Sequence, residues 1–500
     1  MRGLRLLPTA RRRFRSEDGV SLLLTAAALT VMLGMAGFAV DLGWIYLNQT
    51  QTQKAAEAAA LAGVVHMPLP SSVLFSASEA HSTAMSVSAE AGYQHGAGAT
   101  VEPKEVAGAP TQLQVDVSTE IDTFFMRLFG IQTVDFTKSA TAEQLPPLVL
   151  GSDEPYLGND PERGIDVHFW AAINGECELK SNGDPYAPRN LDNFCGGGSN
   201  SEHKDPAFYY AVEVPDGSAG GTMTIEVYDG DHWVDNRDDY DAGNIAATGD
   251  RIDPSGSNDW TLNFTLYEPD QTPNIWTDNN VVADSGGCTR NYREQTSVTG
   301  AIQQWTTVCT VNSASSGIHV LAVSVGGSTR AISDFTMRTS YNGSYASGTN
   351  PIQLYGLGAL SLDMRDAGAT PTFKVAKLED YYANSNFIIG LYDVGDVYGS
   401  DAWLRFGGEA NTMDCQVRVN GGAWIGDDSP GSAPCELETS GQRFDGDWIE
   451  LRFDIAPGYT CAGDCWVTVQ YQMDASADVT ERTTWTAGVD GQPIHLLKSG

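Results

Sequence analysis

Hydrophobic and polar positions follow three different patterns along this chain. Residues 20 to 40, "VSLLLTAAALTVMLGMAGFAV", are 21 consecutive uncharged positions bounded by Val20 and Val40. At 1.5 Å per residue they cover a hydrocarbon core of ~30 Å. The apolar character then falls away, but helix-forming character does not. Residues 49 to 65, "QTQTQKAAEAAALAGVV", are rich in alanine and glutamine and lack proline or internal glycine before Gly63, which favours helix. A single rod of ~69 Å from Val20 to Val65 is therefore predicted, ended by Pro68 and Pro70. Ala26, Thr30, Gly34, Gly37 and Asp41 recur every three or four residues, so they line one face of the rod. Small residues on such a face let helices approach closely in lipid.

Beyond the rod the period changes. A polar, alanine-bearing helix, "SASEAHSTAMSVSAEAGY", precedes the alternating segments "TQLQVDVST" and "TVDFTKSATAE", which predicts a small α+β unit packed on the rod. "PPLVLGSDEP" at 146 to 155 reads as a linker. After it come short alternating runs every ten to fifteen residues, among them "GIDVHFWAAI", "TMTIEVYD", "WTLNFTLY", "IHVLAVSV", "WIELRFDI" and "CWVTVQYQ", separated by Gly, Asn, Asp and Ser. That punctuation predicts all-β sandwich or jelly-roll domains. An internal repeat supports two of them: "YYAVEVPDGSAGGTMTIEVYDGD" aligns with "FKVAKLEDYYANSNFIIGLYDVGD", so that Tyr228 and Asp229 match Tyr392 and Asp393. The expected organisation is a basic tail at 1–19, a membrane and extended helix at 20–66, a small α+β region at 67–149, and β-sandwich domains at 150–355 and 356–500.

Charge orients this arrangement. Six of the 29 basic residues lie in the first fifteen positions, leaving 23 against 64 acids in the remainder. Basic residues before an apolar span place the N-terminus in the cytoplasm and the bulk of the chain outside, with Trp44 and Tyr46 where an interfacial aromatic belt belongs. The competing reading is a cleaved secretory signal ending at residues 37 to 39, although the apolar core of such signals runs only ~7 to 15 residues. The acidic balance disfavours nucleic acid as a partner. All eight cysteines, Cys177, Cys195, Cys288, Cys309, Cys415, Cys435, Cys461 and Cys465, fall in the exported part. Disulfides are expected; eight cysteines allow 105 pairings, and nearest-neighbour pairing is the simplest.

Candidate chemistry is sparse. The run "DGDHWVDNRDDYDAGN" holds Asp229, Asp231, Asp235, Asp238, Asp239 and Asp241, and calcium takes six to eight such oxygens. Trp233 spoils the EF-hand order, so a solvated acidic loop explains the run equally, and no cofactor other than calcium is expected. "ADSGGC" around Ser285 resembles a protease nucleophile turn, but no histidine and orienting acid accompany it. No nucleophile elbow, zinc helix or phosphate loop occurs, and no catalytic residue is assigned. Trp170 and Trp466 alternate as core residues; an exposed tryptophan platform would instead suit envelope or host glycans.

One resemblance sharpens the reading. Residues 17 to 63, "EDGVSLLLTAAALTVMLGMAGFAVDLGWIYLNQTQTQKAAEAAALAG", resemble the TadE/TadG-like proteins of Flp, or tight-adherence, pilus assembly: an apolar helix, "AVDLG", an aromatic pair and "KAAEAAALAG" come in that order. "IDTFFMRLFGIQTVDFTKSATAEQLPPL" at 121 to 148 is similar to the small pilin-like region of that family. The resemblance implies a single-pass, non-enzymatic pseudopilin or assembly factor whose partners are the membrane and pilin-like or other pilus-assembly proteins. It departs from prepilins in having Leu24 five residues after Gly19, where they carry glutamate. It also lacks the buried strand that should precede a metal-site "DPSGS" at Asp253, Ser255 and Ser257. The alternative is a surface-anchored carbohydrate-binding or adhesive protein with a borrowed anchor. For Asp41 two roles stay open: a membrane-boundary marker, or a polar contact fixing depth or register against a partner helix.

Overall fold

Apolar and then alanine-rich sequence without proline forms one uninterrupted helix, α1, from Glu17–Val64, in the computed structural model of the chain. The structure describes residues 17–69, 73–190, 198–229, 251–252, 260–270, 277, 279–283, 288–293, 304–327, 331–364, 370–395, 402–426, 435–461, 463–472, 481–490 and 494–497. The second half of α1 is the spine of a small α+β unit. A shorter helix, α2 (Glu79–Glu90), starts at Ser78, whose side chain accepts the His81 N–H at 3.2 Å, an N-cap. Three antiparallel strands come next: β1 (Ala99–Val106), β2 (Ala109–Asp122) and β3 (Thr133–Gln144). β1 was not legible because Pro103 and three charged residues interrupt its alternation; as the edge strand it tolerates a residue without an N–H.

The core of this unit sets small residues against large ones. Ala56, Ala59 and Ala60 of α1 and Ala80 and Ala84 of α2 meet Leu113, Val115 and Val117 of β2, all buried. Gly63 lies where the helices and sheet converge: a Cβ there would come 2.5 Å from a Leu113 methyl and 2.8 Å from the Ala80 carbonyl oxygen. Alanine and glycine are thus what bring α1 close enough to bury the strands' branched side chains.

The remainder is β-structure in which two smaller sheets, of five and four strands, pack against different parts of one twelve-stranded sheet. Aromatic pairs cross the interior, Phe264–Phe335 at 5.9 Å between ring centroids and Phe406–Phe453 at 5.6 Å, and one core cluster runs from Leu148 to Trp485. Each copy of the internal repeat is a strand in a small sheet, a 3₁₀ turn, then a strand in the large sheet: Phe208–Val214 and Met223–Asp229 in the first, Thr372–Lys377 and Asn386–Tyr392 in the second. Tyr228 and Tyr392 each lie opposite a tryptophan on the neighbouring strand, Trp305 and Trp448. Trp170 and Trp466 are buried.

The two β lobes are joined at several places. Trp170–Asn174 pairs on one side with Ala331–Tyr341 and on the other with Ala359–Met364, which makes the large sheet continuous. Arg482 reaches across this seam to Asp334 and Asp363, both at 3.0 Å, and all three are buried. Segment 146–155, expected as a linker, is packed instead. Leu148 and Leu150 are buried, Leu150 bridges Gly356 and Ala376 of the two small sheets, and Lys374 binds Asp153 at 2.7 Å. Its prolines mask a short apolar alternation, and each lobe supplies partners for it. Cysteines pair with the next along the chain, Cys288–Cys309, Cys415–Cys435 and Cys461–Cys465, and Cys177 is disulfide-bonded as well. The first two link a small sheet to the large one near the outer edges of the lobes. Finally, the strand Ile494–Leu496 returns to pair with β3, so it belongs to the sheet of the unit where α1 lies.

Candidate membrane-interface site

Residues 122–133, "DTFFMRLFGIQT", join β2 to β3. Thr123 closes the base of this loop, its N–H donating to the Gln132 carbonyl at 2.9 Å and its hydroxyl to the Ile131 carbonyl. Within it a 3₁₀ turn, Met126–Phe129, ends at Gly130 with φ 89, a left-handed conformation that glycine adopts without steric cost. The start of such a turn leaves backbone donors without partners. Here Asp41 takes them: its carboxylate accepts the N–H groups of Phe124, Phe125 and Met126 at 2.9, 2.8 and 2.6 Å. Charge-assisted bonds of this kind are about twice as strong as neutral ones. They also let Asp41, 1% exposed, sit beside an apolar segment without an unsatisfied charge.

Side chains extend the contact along α1. Gly37 is buried under Phe125, and a Cβ there would lie 2.8 Å from that ring. Phe38 meets Phe129 at 5.0 Å between centroids, and Trp44 meets Phe124 edge-on at 5.7 Å. The loop therefore covers helix positions 37 to 44, about 10 Å of the rod. Its own outer face is bare: Phe124, Phe125, Leu128, Phe129 and Ile131 are between 44 and 79% exposed. Arg127, the one charged residue between positions 123 and 132, donates to the Thr123 carbonyl at 2.6 Å and lies 3.6 Å from Asp122 at the end of β2.

Each position singled out in the sequence can now be placed. Val20, Thr30 and Val40 are exposed on the apolar half of α1, and Gly34 is half-buried with open space at its Cβ. The small-residue face is thus divided: Gly37 and Asp41 are covered by the chain's own loop, and the stretch below them is not. Trp44 borders the loop, and Tyr46 points away from it, exposed. Of the acidic run, Asp229 ends the strand Met223–Asp229; Asp231, Asp235, Asp238, Asp239 and Asp241 lie outside the described residues, as do Cys195, Asp253, Ser255, Ser257 and Ser285. Sequence reasoning missed the partner of Asp41. The available signal was six large apolar residues within nine, set between two polar strands and hence unlike a solvated turn.

These features define a membrane-anchored protein: one described helix, Val20–Val64, is long and apolar enough to cross a bilayer, and it continues as the spine of a folded unit carrying a large β-sheet region. The model of a family described as putative Flp pilus-assembly TadE/G-like matches residues 19–66, the segment that holds this helix. No curated protein matches the chain. Among solved structures, the N-terminal CBM22-1-CBM22-2 tandem domain of Paenibacillus barcinonensis Xyn10C aligns at 8% identity over 79% of this chain and 92% of that one, with a TM-score of 0.13, too low to establish a common fold.

Proposed function

We propose that this chain is a non-enzymatic, membrane-anchored component of Flp-type pilus assembly that works through protein contacts. The observation that carries this reading is the continuity of α1. The segment that matches the pilus-assembly family both spans the apolar distance of a bilayer and forms the core of the α+β unit, so partner contacts on the helix would be passed to the folded part without a hinge. The arginines ahead of the apolar span support a cytoplasmic N-terminus. Disulfides suit the β lobes to an oxidising compartment outside it. The uncovered face at Ala26, Thr30 and Gly34 is where a pilin-like helix would pack.

The test is genetic and physical. Deleting the gene should abolish or sharply reduce surface pili counted by electron microscopy, and the full chain supplied in trans should restore them. Normal pilus number and adherence in the deletion strain would overturn the proposal.

A further inference from the structure

The membrane-facing end of the α+β unit carries an apolar surface that the fold leaves uncovered. We infer that loop 123–131 inserts into the outer interfacial layer of the bilayer beside α1, giving the protein a second attachment to lipid. The inference rests on the anchored reading above and adds to it.

Four observations converge. First, depth: Phe129 lies against Phe38 and Phe125 against Gly37, and both helix residues belong to the apolar stretch at 20–40 rather than to the polar half of α1. Whatever surrounds α1 at that level also surrounds the loop. Second, chemistry: Leu128 is 79% and Phe129 64% exposed, a cost in water that hydrocarbon removes. Third, backbone: three N–H groups at the start of the turn are satisfied by Asp41, as backbone entering lipid must be. Fourth, charge: in a chain with 64 acids residues 123–131 hold none, and Arg127, half exposed and 3.6 Å from Asp122 at the loop's base, is a long cationic side chain of the kind that extends toward headgroups at an interface. Trp44, edge-on to Phe124, marks the same boundary. A bilayer fits these features better than a protein partner, because the exposed apolar residues of the loop lie beside the exposed apolar residues of α1 at the same level.

The consequence is mechanical. A single helix can rotate and tilt in the bilayer and carry the folded part with it; a second insertion beside it restricts both motions.

The experiment uses the full chain in phosphatidylcholine–phosphatidylglycerol nanodiscs, with a spin label at Leu128→Cys and, in a separate sample, at Phe129→Cys. Met35→Cys in the span and Glu102→Cys on β1 serve as references, both exposed. Collision rates with oxygen, which concentrates in lipid, are compared with those of a water-soluble nickel chelate. The oxygen-to-nickel ratio at 128 and 129 should shift from that at Glu102 to that at Met35. A ratio like Glu102, or low collision with both agents as when another protein surface covers the loop, overturns the inference while leaving the anchor intact. A water-like ratio at Met35 overturns the anchor on which both readings rest.

Discussion

The α+β unit and the β lobes solve the problem of holding a fold together by opposite means. In the α+β unit the buried helix positions are mostly alanine, and cohesion comes from the close approach this allows between α1, α2 and the sheet. Its one buried charge next to the apolar segment is Asp41, hydrogen-bonded by three backbone donors, with Arg127 as the cation acting on it. The lobes instead bury large rings, tie sheets together with disulfides and place ion clusters in their interior: Arg482 with Asp334 and Asp363, and Arg338 with Glu226 and Asp160. Arg338 also lies between the rings of Trp305 and Tyr345, 4.1 Å from each centroid. Small residues suit a unit that must continue a membrane helix, since bulk would push the sheet away from the rod. Cross-links and buried ions suit a large β region outside it, where a seam between lobes must be held in one arrangement.

The comparison breaks most sharply at the seam. Arg482→Met should remove a cation from beside two buried carboxylates, which costs ~3 to 5 kcal/mol, and should lower the calorimetric melting of the β lobes by several degrees. Adding Asp334→Asn and Asp363→Asn should recover much of that loss. A single variant that melts with the parent would show that the cluster does not hold the lobes together.

At the other region, Asp41→Ala should leave three backbone donors without their carboxylate acceptor, which loosens the loop. Amide hydrogen exchange at residues 124–126 should accelerate in nanodiscs while melting of the lobes stays unchanged. Unaltered exchange would mean that the loop is held by its aromatic contacts with α1 alone.

Much of this contrast could be read from the residues. The uninterrupted run at 20–65 foretold α1, and the Tyr-Asp repeat foretold two equivalent strand pairs, because local helix propensity and period-2 alternation are written in consecutive positions. The loop on Asp41, the packing of segment 146–155 and the return of Ile494–Leu496 to β3 were not legible. Each depends on partners far away in sequence: Asp41 meets residues 83 to 85 positions distant. A lone aspartate after an apolar run is ambiguous until the donors it faces are known.

The smallest effect concerns pH and belongs to the lobes. Burial pushes the Asp184 carboxyl up to about 6, against partial relief from the Asn174 and Tyr186 N–H groups and from Arg482 and His203. A raised acid favours the folded state most below its unfolded value of 3.8, and that contribution is lost as pH rises through 6. His319 behaves oppositely: burial lowers it to about 4, so its contribution is present above 6.5 and lost as pH falls toward 4. The two oppose each other in one window, and through them the lobes should change little in stability between pH 7 and 5. Asp184→Asn removes one side of the balance. Relative to that variant the parent should gain about 1 kcal/mol between pH 7 and 5, read as a widening difference in melting temperature on acidification. A constant difference would show that Asp184 titrates in the folded lobes as it does in the unfolded chain.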